Sequence, residues 1–277
     1  MLTIREALDA QATNGRRKAE GLRSPGRFTV SGMLAGAYIG VGVVLMVTAA
    51  GPLLEAGSGW AKLVSGLVFG VALTIVVVAG GELVTSSMMT LPQAALMRAV
   101  PVGRAAAALL WTFTANLVGS VVFATLVAAS GVLRSNTAAG AMVSGMLAGK
   151  AHETPLELFV RGILCNVLVC LAIWMTVRLR SETARLVVVF AAILAFITSG
   201  FEHVVANMTT FTIGLLSGDP SATVPLFALN LVCVGAGNLV GGALVVGAGY
   251  WFVGGSPTLT ADPTSAPHTQ VDGVAAG

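Results

Sequence analysis

The phrase Thr198-Ser199-Gly200-Phe201-Glu202-His203-Val204-Val205-Ala206-Asn207-Met208 brings an imidazole, a carboxylate and an amide together inside an otherwise apolar stretch. His203 is the only one of the three histidines in such a stretch. A charge in hydrocarbon costs about 2.5 to 3.5 kcal/mol even on lenient insertion scales, so polar groups kept there mark a site. A second phrase, Ala79-Gly80-Gly81-Glu82-Leu83-Val84-Thr85-Ser86-Ser87, sets another carboxylate and three hydroxyls beside paired glycines. The chemistry open to these groups is the handling of a small polar solute and of protons. Imidazole exchanges a proton near neutral pH, and hydroxyls orient either a ring nitrogen or a solute.

The elements that must position them are membrane helices. With 56% hydrophobic and 10% charged residues and a mean hydropathy of +0.89, the chain cannot build an ordinary soluble surface. Apolar runs at 28–50, 60–80, 103–130, 155–177, 184–217 (interrupted) and 223–253 each reach the roughly 20 residues a helical crossing needs. Uninterrupted runs exclude a porin-like barrel, whose segments alternate over about ten residues. With both ends inside, the cytoplasmic side holds eleven Lys and Arg against Lys62, Arg134, Lys150 and Arg161 outside. That bias predicts an inner-membrane protein with both termini cytoplasmic. The net charge of +3 reports this topology and does not indicate nucleic acid. Residues 1–27 read as an amphipathic interfacial helix, 28–253 as the transmembrane domain, and 254–277 as a disordered cytoplasmic tail. Cys165, Cys170 and Cys233 lie in apolar spans without metal-ligand spacing and read as small hydrophobes.

A repeat organises the spans. Asn116-Leu117-Val118-Gly119-Ser120 recurs as Asn238-Leu239-Val240-Gly241-Gly242, and Gly81-Glu82-Leu83-Val84 as Phe201-Glu202-His203-Val204, at displacements of 122 and 120 positions. Two halves of three spans each follow, and an odd number of crossings inverts the second half. The Gly-containing phrases interrupt the middle span of each half. Paired interruptions of this kind point to a pathway at the bilayer midplane. Beyond each break a half-helix turns its N-terminal N–H groups towards the gap, an environment suited to an anion.

At these residues the chain closely resembles the formate/nitrite transporter family. The resemblance is carried by Ala35-Gly36-Ala37-Tyr38-Ile39-Gly40, Gly81-Glu82-Leu83-Val84-Thr85-Ser86, Cys165-Asn166 through Trp174-Met175, Ser199-Gly200-Phe201-Glu202-His203 through Asn207-Met208, and Gly237-Asn238-Leu239-Val240-Gly241-Gly242. Cys165-Asn166 through Trp174-Met175 and Ser31 through Tyr38 look most like its nitrite channel branch. The resemblance implies an aquaporin-like six-helix fold, a homopentamer, and one pore per protomer for nitrite or, alternatively, formate or hydrosulfide. It implies a central histidine at His203 faced by Thr85, with Glu202 beside it and Asn166 and Asn207 as pore-adjacent amides. Phe69, Leu73 and Phe196 would form an outer constriction, Leu83 and Val169 an inner one, and Lys150 would stand near the outer vestibule. Val84 occupies a position where many members carry Phe, so the inner constriction departs from the family pattern.

A dehydrated anion in a narrow apolar slot needs compensating charge or a proton. Protonated His203 could hold the anion or pass it a proton, with Thr85 orienting either partner. Structural alternatives stand beside these roles: Glu202 as a partner for loosened backbone, Lys150 as a loop charge, Phe69 and Phe196 as packing. A neutral-solute channel lacks its Asn-Pro-Ala signals here, and a non-transport scaffold would need no paired breaks. An enzyme would need a second catalytic group or a metal cluster, and neither these nor a cofactor or ATP-binding motif is expected.

Overall fold

A computed structural model of the chain describes residues 1–259. All its regular elements are helical: α1 (Ile4–Glu20), a short 3-10 turn (Gly21–Arg23), α2 (Pro25–Glu55), α3 (Ala61–Ala79), α4 (Val84–Leu96), α5 (Val102–Ser130), α6 (Val132–Ser135), α7 (Thr137–His152), α8 (Pro155–Arg178), α9 (Glu182–Thr198), α10 (Val204–Ser217), α11 (Val224–Val240), a π-helical stretch (Gly241–Ala248) and α12 (Gly249–Val253). Among the described residues, α2, α3, α5, α8 and the continuous run Val224–Val253 are long and apolar enough to cross a membrane. The remaining predicted crossing is divided into α9, 17 residues, and α10, 14 residues.

Local sequence explains where the helices start. Thr3 and Thr154 each form a reciprocal capping box, with Glu6 and Glu157 respectively, and Pro155 occupies the first turn of α8. These caps satisfy N–H groups that would otherwise be orphaned. The surface is that of a lipid-facing protein, since Val78, Leu110 and Val232 are about 70% exposed, while Asn116, Asn166, Asn230, Asn238 and Gln93 are fully buried. Such a distribution is unfavourable in water and natural in hydrocarbon, where polar groups must find partners inside the protein.

The repeat read from the sequence has a structural counterpart. α3 starts beside one cavity, at Lys62 and Ser65, and ends beside another, at Val76, Val77 and Gly80. α9 ends beside the first cavity, at Ile197 and Gly200. The two helices therefore run in opposite directions, as an inverted repeat requires. In each half the first and last long helices touch through backbone. A Cβ on Gly119 would lie 1.9 Å from the Met33 carbonyl oxygen between α5 and α2, and one on Gly237 would lie 2.1 Å from that of Phe159 between α11 and α8.

Two regions differ from the sequence reading. The apolar stripe of α1 is covered by protein: Ala7, Leu8 and Ala12 are fully buried in a cluster with Met89, Trp174 and Val246. An interfacial helix would have left that stripe for lipid. The expected tail falls mostly outside the described residues, but its first part is held in place. Trp251 Nε1 donates to the Pro257 carbonyl, Arg5 to that of Thr258, and the Leu259 N–H to that of Met97.

Candidate functional site

The site is built where the two broken helix pairs meet. Each break begins with a glycine at positive φ, Gly80 at +84° and Gly200 at +73°, a conformation that side chains with a Cβ seldom adopt. Each ends at an extended N-cap residue, Leu83 before α4 and His203 before α10. A buried asparagine clamps each break by the same three bonds. Asn116 accepts from Val84 N–H and donates to the carbonyls of Gly32 and Glu82, all at 2.8 Å. Asn238 accepts from Val204 N–H at 3.0 Å and donates to the carbonyls of Gly162 at 2.7 Å and Glu202 at 3.0 Å. Backbone polar groups released by the breaks are thus satisfied inside the protein.

His203 stands at the centre. Its Nδ1 accepts the N–H of Ala206 at 3.2 Å as the N-cap of α10, and its Nε2 lies 3.1 Å from Thr85 Oγ1. An accepting Nδ1 carries no proton, so in the neutral ring the proton sits on Nε2, facing the threonine. The ring stacks on Phe196, centroids 5.9 Å apart, and Phe196 meets Phe69 edge-on at 6.1 Å. These three rings close the floor of a cavity of about 300 Å³.

That cavity is rich in charge. Lys62, Lys150 and Arg161 line it against Glu153 and Glu202, leaving one positive charge in excess before His203 is counted. Lys150 Nζ reaches both oxygens of Glu202 at 2.5 and 2.6 Å, and Asn207 Nδ2 donates to Glu202 at 2.6 Å and to Asn230 at 2.8 Å. Arg161 pairs with Glu153, whose other carboxylate oxygen is buried and unpaired. Burial, and then the charge of Glu202, push the Glu153 carboxyl above the usual carboxylate range, against the opposing pull of Lys150 and Arg161.

A second cavity of about 320 Å³ opens on the face that bears α1, lined by Arg17, Lys18, Glu82, Leu73 and Ser86 among others. Between the two cavities lies a plug of buried side chains. Leu83, Val84 and Val169 belong to the common core and line neither cavity.

The descriptions of known proteins match this arrangement. The family model "Formate/nitrite transporter" matches residues 5–252. The chain belongs to the formate/nitrite transporter family. Similar members include the nitrite transporter NirC of Escherichia coli K12, 38% identical over 251 residues that cover 89% of this chain and 91% of NirC. The formate channel FocA of the same strain is 33% identical over 238 residues, 79% of this chain and 83% of FocA. Among solved structures, an "FNT family ion channel" superposes with a TM-score of 0.83 at 36% identity, covering 90% of this chain and 98% of its own. A "pentameric formate channel with formate bound" gives 0.72 at 27%, with 83% and 98% covered. Membership makes the chain a membrane transport protein and not an enzyme.

Within this family member, the residues expected from the sequence are distributed as follows. His203, Glu202, Asn207, Lys150, Phe69 and Phe196 all line the first cavity, and Thr85 is buried directly against His203. Leu73, expected beside Phe69 and Phe196, borders the second cavity instead, one helical turn further along α3. Asn166 lines neither cavity, and its Nδ2 donates to the carbonyls of Thr85 and Asn238, tying α4 to α11. The Glu202 side chain bonds Lys150 and Asn207, while Asn238 takes its backbone carbonyl. Sequence reasoning passed over Lys62, Arg161 and Glu153 as site residues, because they are far apart along the chain and carry no motif. It saw Asn116 and Asn238 only as repeat markers, although their recurrence was the available signal.

Proposed function

We propose that the protein carries small monovalent anions, nitrite foremost, between the two cavities past His203. The observation that carries this reading is the positively charged cavity that ends on the His203 ring. An anion entering there meets Lys62, Lys150 and Arg161 in turn with partly paired acceptors, so its lost hydration is offset by charge before it reaches the apolar plug. At the ring it faces the Nε2 proton. Protonating Nδ1 as well would give up the cap bond to Ala206, a loss that an anion against the ring would offset. His203 would then hold the anion or hand it a proton, and Thr85 would take up the vacated nitrogen.

Nitrite is favoured over formate by the higher identity to NirC than to FocA. Formate is the second reading, supported by the likeness to a formate-bound channel. The pentamer of that neighbour supports a homopentamer with one path in each protomer. The lysine and arginine bias of the sequence supports an inner-membrane location with both termini cytoplasmic.

The test is nitrite against formate flux into liposomes at two outside pH values, with His203→Ala alongside. Faster nitrite flux that rises at low pH and is lost or made pH-independent in the variant is the expected result. Flux and pH dependence unchanged in the variant would overturn the central-histidine mechanism.

A further inference from the structure

The two helix breaks carry related carboxylates whose lysine partners are unrelated. Glu82 and Glu202 each immediately precede the N-cap residue of their half-helix. Glu202 takes Lys150 from α7, whereas Glu82 takes Lys18 from α1, a helix outside both repeats. The charged lining of the second cavity is Arg17, Lys18 and Glu82, again one positive charge in excess. The same electrostatic design thus stands at both mouths, and at one of them α1 supplies the positive charge.

α1 is seated closely enough to make it part of the wall. A Cβ on Gly15 would already lie 2.4 Å from Ala94 Cβ and 2.8 Å from the Thr90 carbonyl oxygen of α4. This seating buries Gln11, 1% exposed, in the lining of the second cavity. Its Oε1 accepts from Thr90 Oγ1 at 3.3 Å, and its Nε2 has no partner. Buried amide donors are ordinarily satisfied, so an unpaired one beside two cationic side chains points to a ligand that accepts hydrogen bonds and carries negative charge.

We infer that this cavity is a second anion-binding site, completed by α1, for a small monovalent oxyanion. Lys18 and Arg17 supply charge, and Gln11 Nε2 donates to one oxygen. Glu82 is the internal competitor: it holds Lys18 until an arriving anion takes its place. The inference rests on the anion-transport reading above and adds that anions are captured at both mouths by separate sets of residues.

Half-saturation concentrations for nitrite and formate, measured in uniformly oriented vesicles for uptake from the α1 face and from the opposite face, test it. Lys18→Met should raise the value from the α1 face about tenfold, the usual scale for one charge-assisted bond. Gln11→Leu should raise it less, and Glu82→Gln should lower it. None of these should alter uptake from the other face. If Lys18→Met and Glu82→Gln shift the value in the same direction, or if both faces respond alike, the pair is a clip that seats α1 and the site is refuted. Arg17→Met, an exposed change that leaves the seating intact, guards against a folding artefact and should act like Lys18→Met. Calorimetric titration of formate into the purified protein separates this idea from the transport reading. Binding weakened by Lys18→Met without any wild-type flux would sustain the site and sink transport, whereas no binding to the wild type would sink the site.

Discussion

The two asparagine clamps allow a quantitative prediction. Asn238→Ala removes three buried hydrogen bonds at 2.7 to 3.0 Å, and Asn116→Ala removes their counterparts, all at 2.8 Å. At about 1 kcal/mol each the bonds alone sum to about 3 kcal/mol, and orphaned backbone partners that water cannot reach raise the loss towards about 5 kcal/mol. For a chain of this size each kcal/mol lowers the melting temperature by about 2–4 °C, so both variants should melt on the order of 10 °C below wild type. Asn230→Ala is the internal comparison. It loses the single bond to Asn207 and should fall by about 1 kcal/mol. The assay is thermal unfolding of the purified protein in one detergent, followed by loss of helical signal. Equal losses at Asn116 and Asn238, each well above that at Asn230, are the expected pattern. Clamp variants that melt like the Asn230 variant would refute the argument that these side chains hold the breaks. A large difference between the two clamps would refute their structural equivalence.

Glu153 gives a pH prediction. Its raised pKa means that the folded protein binds the proton more tightly than the unfolded chain, so stability from this group is full below the ordinary carboxylate pKa and lost as pH rises through the raised value. Glu153→Gln should therefore match wild type in acid and melt higher near neutral pH, and it should make nitrite uptake from the first cavity faster at neutral pH and less responsive to acid. A melting curve that falls with pH in parallel with wild type would contradict this. Gly237→Ala places a Cβ 2.1 Å from the Phe159 carbonyl oxygen, a clash with backbone that has no rotamer to escape by. It should abolish recovery of folded protein from membranes, as monitored by monodisperse elution, while Gly145→Ala, with open space around its Cβ, should behave as wild type.

Much of this architecture was written in hydropathy and in one repeated motif. Apolar runs of crossing length are visible residue by residue, and the paired phrases around Glu82 and Glu202 locate both helix breaks. The contacts between distant segments were not visible. Lys18 meets Glu82 across 64 positions and Lys150 meets Glu202 across 52, and no spacing rule connects them. The burial of α1 was missed because its alternation of apolar and charged residues suits a lipid interface and a protein groove equally well. Only the small residues Ala7, Ala12 and Gly15 on the covered face hinted at close packing. Leu73 was set beside Phe69 because both are large apolar residues of one helix face. Four residues along α3 is about 6 Å, enough to move a side chain from one cavity to the other.

The matched clamps also bear on motion. Releasing either break from its asparagine costs about 3 kcal/mol for the three bonds, which would leave the released backbone below about 1% of the population. Segments that spend so little time unlocked are poor hinges, despite the glycines that begin them. What remains free to move between the two cavities is the set of side chains: the rings of Phe69 and Phe196 and the branched tips of Leu83, Val84 and Val169. Rotations of that kind run far faster than the rigid-body rocking of larger carriers, so the molecule is built to fluctuate around a fixed backbone and not to alternate between two of them.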